Sequence, residues 1–234
     1  MTKRLALAVM AKRPQAGKVK TRLCPPLTPE EAAQLAHCFL LDKLEQIRRF
    51  PSVARFVAFS PPDAEEFFGN QIGDGFSLLP QRGNDLGERL ADLSDRLLGG
   101  GFAAAMIIGA DSPTLPDAII HEAYELLAVG MAEVVLGPAD DGGYYLIGLR
   151  RPGRYLFHGI AWGTATVLSQ TLARAGTACL RTHLLPAWYD VDVEADLYRL
   201  ARDLADDRTP ALRTRSYLLT LAPFAGRDRI VERT

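Results

Sequence analysis

The sequence predicts an α/β protein: a single three-layer α/β/α sandwich on a mostly parallel sheet with an antiparallel element. Three observations predict it. Short apolar runs alternate with longer amphipathic ones almost to the end of the chain, the pattern of strands covered by helices on both faces. The alternation breaks once, where Glu133–Leu136 and Tyr144–Leu149 are joined only by the turn-rich GPADDGG, which introduces the antiparallel element. No linker, repeat or low-complexity stretch divides the 234 residues, few for two domains. One domain over residues 1–225 follows, with a polar tail, Gly226–Thr234, expected to fray.

Leu5–Met10 is the first strand. Its setting, MTKRLALAVMAKRPQ, superficially resembles a secretion signal, but the run Leu5–Ala11 meets Lys12 and Arg13 at once and has no small-residue cleavage site. The helix Pro29–Arg49 starts from Thr28, with Pro29 and Glu31 as further start signals. Then come strand Ala54–Phe59, helix Ala64–Phe68, strand Phe76–Leu79 and helix Leu86–Leu98, the last capped by Asp85. Strand Ala104–Ile108 precedes helix Pro116–Ala128, which begins on Pro116 and Asp117. After the antiparallel pair, helix Thr166–Ala175 takes Thr164 as its cap and strand Ala178–Leu184 follows. Trp188–Val191 reads as a strand end, Asp192 as the cap of helix Glu194–Leu204, and a last helix lies near Ala211–Leu221.

A net charge of −1 argues against a general nucleic-acid or membrane-surface binder, and no run approaches the roughly 20 apolar residues of a membrane span. Cys24, Cys38 and Cys179 are odd in number and widely spaced, and the four histidines show no metal-ligand spacing. A reducing cytoplasm is the expected location. The helix Pro29–Arg49 and the last helix offer faces for a homodimer, though nothing in them requires one.

The chemistry sits in loops after strands. In GADSPTLP, Asp111 follows the apolar run Ala103–Ile108, so it reaches the carboxyl edge of the sheet, where ligands bind in open α/β folds. A carboxylate there can hold a divalent cation against phosphates, or simply form the turn before Pro113. The first strand runs into AKRPQAGKVKTRL, where Lys12, Arg13, Lys18, Lys20 and Arg22 crowd one loop. Cations so placed meet phosphates and Gly17 allows close backbone approach, yet a solvated basic loop would look the same. The loop is neither a Walker A sequence nor a GxGxxG fingerprint. In LPQRGNDLGERL, Gln81 can read a nucleobase edge and Gly83 and Gly87 let backbone approach a flat ring. In GPADDGGYYL, Asp140 is read as a turn former, while Asp141 beside Gly142 serves a turn, a ribose, a sugar or a metal. Trp162 can stack on a sugar or pack its own loop. Asp192, besides capping, would complete a two-carboxylate Mg²⁺ site with Asp111.

With these segments in this order, the chain is similar to the nucleotide-diphospho-sugar transferase superfamily of GT-A fold. Within it, the chain resembles the bacterial rSAM/selenodomain-associated transferase group, whose members are assigned as glycosyltransferases. The resemblance runs from AKRPQAGKVKTRL through LTPEEA, QRGNDLGERL, GADSPTLP, GPADDGGYYLIGL and AWGTATVL to YDVDVEADL. It implies phosphate contacts from Lys12, Gly17, Lys18 and Arg22, nucleoside contacts from Gln81 and Gly87, and Mg²⁺ or Mn²⁺ on Asp111 and Asp192. Asp111, Lys18 and Asp141 are the expected catalytic residues; Asp141, Gly142, Trp162 and Thr164 would meet the sugar or acceptor. The glycosyltransferase DxD triplet is reduced here to Asp111-Ser112-Pro113, and the glycines that lead a nucleotidyltransferase loop are missing before Lys12. Transfer from an NDP-sugar is the first expectation. Nucleotidyl transfer from an NTP to a phosphorylated small molecule, and a non-catalytic nucleotide-sugar binder, are the alternatives.

Overall fold

The computed structural model describes residues 4–206, 210–222 and 224. In chain order these form β1 (Leu5–Lys12), α1 (Pro29–Arg48), β2 (Val53–Ser60), α2 (Glu65–Ile72), β3 (Phe76–Pro80), α3 (Leu86–Gly99) and β4 (Ala105–Gly109). Then follow α4 (Asp117–Ala128), β5 (Val134–Pro138), β6 (Tyr144–Leu149), α5 (Val167–Thr177), β7 (Thr182–Leu184), α6 (Glu194–Asp203) and α7 (Leu212–Leu218). The strands make one sheet in the order β3-β2-β1-β4-β6-β5-β7. All neighbours run parallel except β6, which is antiparallel to both β4 and β5. The expected antiparallel element is therefore a strand inside the sheet.

Alternation along β1 sets the layers. Leu5, Leu7 and Val9 pack with Ile47 of α1 and Ile119, Ile120, Ala123 and Leu127 of α4. Ala6 and Ala8 face the other way, toward Leu90, Ala91, Leu93 and Leu97 of α3. Residues two apart share a face, so a strand apolar on both sides must be covered on both sides. The Thr28 capping box is present, its hydroxyl accepting from Glu31 N (3.2 Å) while the Glu31 carboxylate accepts from Thr28 N (2.8 Å).

Several predicted element ends move. Helix α2 runs on through Gly69 and stops at Gly73, whose φ of +57° with ψ of −163° is a non-helical backbone conformation open to glycine. The expected strand Ala178–Leu184 shrinks to Thr182–Leu184, because Ala178 and Leu180 donate their N–H groups back to Arg174 and Ala175. Cys179 between them has φ +51°. The expected cap Thr164 gives way to Thr166 at the start of α5. The helix Pro29–Arg48 and the last helix pack on each other within the chain, Leu35 and Phe39 meeting Leu218, Leu221 and Phe224. Asp42, 5% exposed, ties α7 to α1 by accepting from Arg213 N (3.1 Å) and Thr214 N (2.8 Å). The tail Gly226–Thr234 lies outside the described residues.

Candidate active site

From β1 the chain builds β2 and β3 on one side, then returns to place β4 on the other. The loops after β1 and β4 therefore leave in opposite directions, opening the crevice in which α/β sheets bind ligands. A cleft of about 240 Å³ lies there, lined by Met10, Lys12, Lys20, Arg22, Asp111 and Asp192 among others.

Lys20 is its centre. Its ammonium lies 2.8 Å from Asp111 Oδ1 and 2.8 Å from Asp192 Oδ1, with the lysine side chain 6% exposed and the carboxylates 49% and 41% exposed. Burial works against the ammonium, but the charges and hydrogen bonds of Asp111 and Asp192 outweigh it and raise its pKa. The residue adopts φ 48°, ψ 35°, a left-handed conformation uncommon for a side-chain-bearing residue and concentrated at functional sites. Asp192 is free to reach Lys20 because it does not cap α6. That cap is Val193, and the Asp196 carboxylate accepts from the N–H groups of Asp192 and Val193, both at 2.9 Å. Val191 N donates to Asp111 O (2.9 Å), locking the two acidic segments side by side.

Helix α1 supports the Asp111 loop from beneath. Lys43, Gln46 and Arg49 recur every three residues and grip three successive points of it. Lys43 Nζ donates to Ser112 O (3.0 Å) and Gln46 Oε1 (2.6 Å). Gln46 Nε2 donates to Leu115 O (2.5 Å) and Asp117 Oδ1 (2.9 Å), and Arg49 binds Asp117 through two nitrogens at 2.7 and 2.8 Å. Ser112 Oγ donates to Asp190 in a short hydrogen bond. Burial, aided by the charge on Asp111, pushes the Asp190 carboxyl up to about 6, while the Ser112 bond pulls the other way.

The other predicted residues are placed along the same sheet edge. Lys12 Nζ donates to Lys18 O (2.8 Å), closing its own loop, and Arg22 is exposed at the cleft. Lys18 is exposed and is not among the cleft-lining residues. Gly17 has φ +70° in the turn where Lys18 N meets Gln15 O (3.0 Å), a conformation that favours glycine. The Gln81 amide donates to Ala58 O (2.7 Å) and Ala11 O (3.3 Å), pinning β1 and β2 together. Asp85 caps α3, accepting from Glu88 N (2.8 Å). Asp141 Oδ1 accepts from Gly143 N (2.8 Å) as a turn former, and Asp140 pairs with Arg199 (2.5 Å). Thr164 Oγ1 donates to Ala161 O (2.8 Å). Gly142 presses so closely on Ala165 that a Cβ would stand 2.2 Å from its carbonyl oxygen.

Trp162 packs edge-on against Tyr144, ring centroids 6.3 Å apart, and covers Gly87. A Cβ on Gly87 would meet Trp162 Nε1 at 2.4 Å and Phe157 O at 2.9 Å. Gly87→Ala is therefore expected to displace the indole and destabilise the fold by about 1–3 kcal/mol. Denaturant unfolding and tryptophan fluorescence check it; an unchanged spectrum and midpoint would show that the ring is not wedged there.

Sequence reasoning counted Lys20 among the loop cations without singling it out, and it missed Lys43, Gln46 and Arg199. The signal for Lys43 is a lone lysine on the face of α1 that otherwise buries Phe39, Leu40, Leu44 and Ile47. Asp111 and Asp192 suit a divalent cation: both are hard oxygen donors, both border the cleft, and both already converge on one positively charged atom. No group of three or more His, Cys, Asp or Glu is arranged as a metal site among the described residues.

The fold and crevice define the class, that of the nucleotide-diphospho-sugar transferases. The chain belongs to the family of uncharacterized proteins conserved in bacteria, DUF2064, whose model matches residues 43–164. A protein of Desulfovibrio desulfuricans G20, provisionally described as a nucleotide-diphospho-sugar transferase, is 31% identical with a TM-score of 0.83. The match covers 92% of this chain and 96% of that one. CMP:2-keto-3-deoxy-manno-octonic acid synthetase, in complex with CTP, shares the fold at 12% identity and TM-score 0.57, covering 87% and 99% of the two chains. So does Rv0371c of Mycobacterium tuberculosis H37Rv in complex with manganese, at 14% identity and TM-score 0.50, covering 86% and 98%. No curated protein matches the sequence. No helix among the described residues is long and apolar enough to cross a membrane.

Proposed function

We propose that the protein is a metal-dependent transferase using a nucleotide-activated donor, and that it acts as a glycosyltransferase on an NDP-sugar. The observation that carries this reading is the convergence of Asp111 and Asp192 on a single cation at the sheet's switch point, beside the basic loop. The description of the Desulfovibrio protein supports the same donor class. Mg²⁺ or Mn²⁺ on these carboxylates would neutralise charge building on the leaving diphosphate. Lys12 and Arg22, which line the cleft, would supply cations to the phosphate oxygens; Lys18 would have to reach them from outside the cleft, and Gly17 would keep the loop backbone close. The loop between Gln81 and Gly87 would border the nucleoside, with the Gln81 side-chain carbonyl oxygen rather than its amide N–H groups left to read it. Asp141, Gly142, Trp162 and Thr164 would form the wall toward sugar and acceptor, with Asp141 orienting a hydroxyl.

The density of cations over residues 12–22 and the CTP complex of a fold relative favour a second reading, nucleotidyl transfer with pyrophosphate release. Thermal shift with Mn²⁺ and a panel of nucleotides tests both. A ligand at 100 times its Kd adds about 2.7 kcal/mol of stability. Release of NDP from an NDP-sugar supports the first reading, and pyrophosphate from an NTP plus sugar phosphates supports the second. Stabilisation by no nucleotide would sink them together.

A further inference from the structure

We infer that Lys20 is a resident cation in the seat a divalent metal ion would take, and that the metal enters by exchange, with the ammonium withdrawing from between Asp111 and Asp192. The inference rests on the metal-dependent reading above and adds a competition that this reading does not contain. One ammonium contacts Oδ1 of both carboxylates, so one oxygen of each is already engaged by a cation that sits between them, where a shared metal would sit. The lysine side chain is 6% exposed, and a second, divalent charge in the same small space meets direct repulsion from it. Exchange is feasible because the seat is not sealed. Both carboxylates are nearly half exposed, and the ammonium rides on a flexible four-carbon stem rather than a rigid fork.

The charge count says what else must change. Two carboxylates and one ammonium sum to −1; a divalent ion added to them with the ammonium still nearby gives +1. Lys12 and Arg22 line the same cleft, so the metal-loaded state gathers positive charge that an anionic ligand would balance. In the metal-free protein Lys20 does the opposite job, preventing two carboxylates from repelling each other across the cleft.

Competition reverses the sign usually expected when a buried site lysine is removed. Mn²⁺ alone, titrated by electron paramagnetic resonance into the full chain, is expected to bind Lys20→Met at least tenfold more tightly than wild type and Asp111→Asn at least tenfold more weakly. Equal or weaker binding by Lys20→Met, with binding still lost in Asp111→Asn, overturns the inference while leaving the metal reading standing. Unchanged binding by Asp111→Asn overturns the metal reading and the inference with it. A second measurement needs no variant: acetylation of Lys20 by an N-hydroxysuccinimide ester, read by mass spectrometry of the wild type, should rise on saturation with Mn²⁺. Saturation without increased acetylation overturns the exchange.

Discussion

Replacing Lys43 by Met should remove a pH dependence from the protein's stability: between pH 7 and pH 10, wild type is expected to gain roughly 2 kcal/mol relative to the variant. Lys43 is 1% exposed, and burial lowers its pKa from 10.5 to about 8. The charges of Asp190, Asp117 and Asp111 work against that fall, and Arg49 adds to it. Below pH 8 the amine is charged in both folded and unfolded chains, so the full cost of burying the charge is present. Between about 8 and 10.5 the unfolded chain still holds a proton that the folded one has released, and folding becomes more favourable as pH rises. At pH 7 the two proteins should be closer in stability than a buried-lysine deletion suggests. Met removes a buried charge but leaves Gln46 Oε1 and Ser112 O without the donor they now have. Chemical denaturation of both proteins across this range reads the difference, in which the shared titration of other groups cancels. A flat difference would mean that Lys43 keeps its proton throughout.

Lys43 also marks where reading the sequence stopped. The layered sheet was legible because β1 and β4 are apolar on both faces and the helix starts carry local caps: Thr28 and Asp85 act through contacts three residues away, and their partners are visible in the sequence. Cys179 shows the limit of periodicity, since its left-handed backbone ends a helix where the residue types suggested a strand. Asp111 and Asp192 were legible as strand-end and helix-start acids. Their shared partner was not, because five cations crowd residues 12–22 and only the fold decides which of them turns inward. Sequence spacing likewise could not show that the Gln81 amide would be taken by the carbonyls of Ala11 and Ala58, contacts 70 and 23 residues away.

Asp111→Asn is expected to lower turnover at least 100-fold, a loss of about 2.7 kcal/mol of transition-state stabilisation, while changing stability by no more than about 1 kcal/mol. The asymmetry follows from exposure. Asp111 is 49% exposed and its pair with Lys20 is partly screened, so neutralising it costs the fold little; Lys20 keeps Asp192, and the neighbouring Asp190 loses a like charge. The Asn side chain keeps the shape of the loop, whose backbone is held independently by Lys43, Gln46 and Val191. What disappears is one of two anionic oxygens that can hold a metal at the phosphates, and a neutral amide oxygen is a much poorer partner for a hard divalent ion. Asp192→Asn should fall by a similar factor, and the double variant little further, because ligands of one ion act as a unit. Asp140→Asn is the control: it removes the pair with Arg199 at the same sheet edge and should keep turnover within a few-fold of wild type. Turnover measured with the donor identified by thermal shift decides it. Full activity in Asp111→Asn would remove this carboxylate from the chemistry altogether, and a strictly additive double variant would show that Asp111 and Asp192 do not serve one cation.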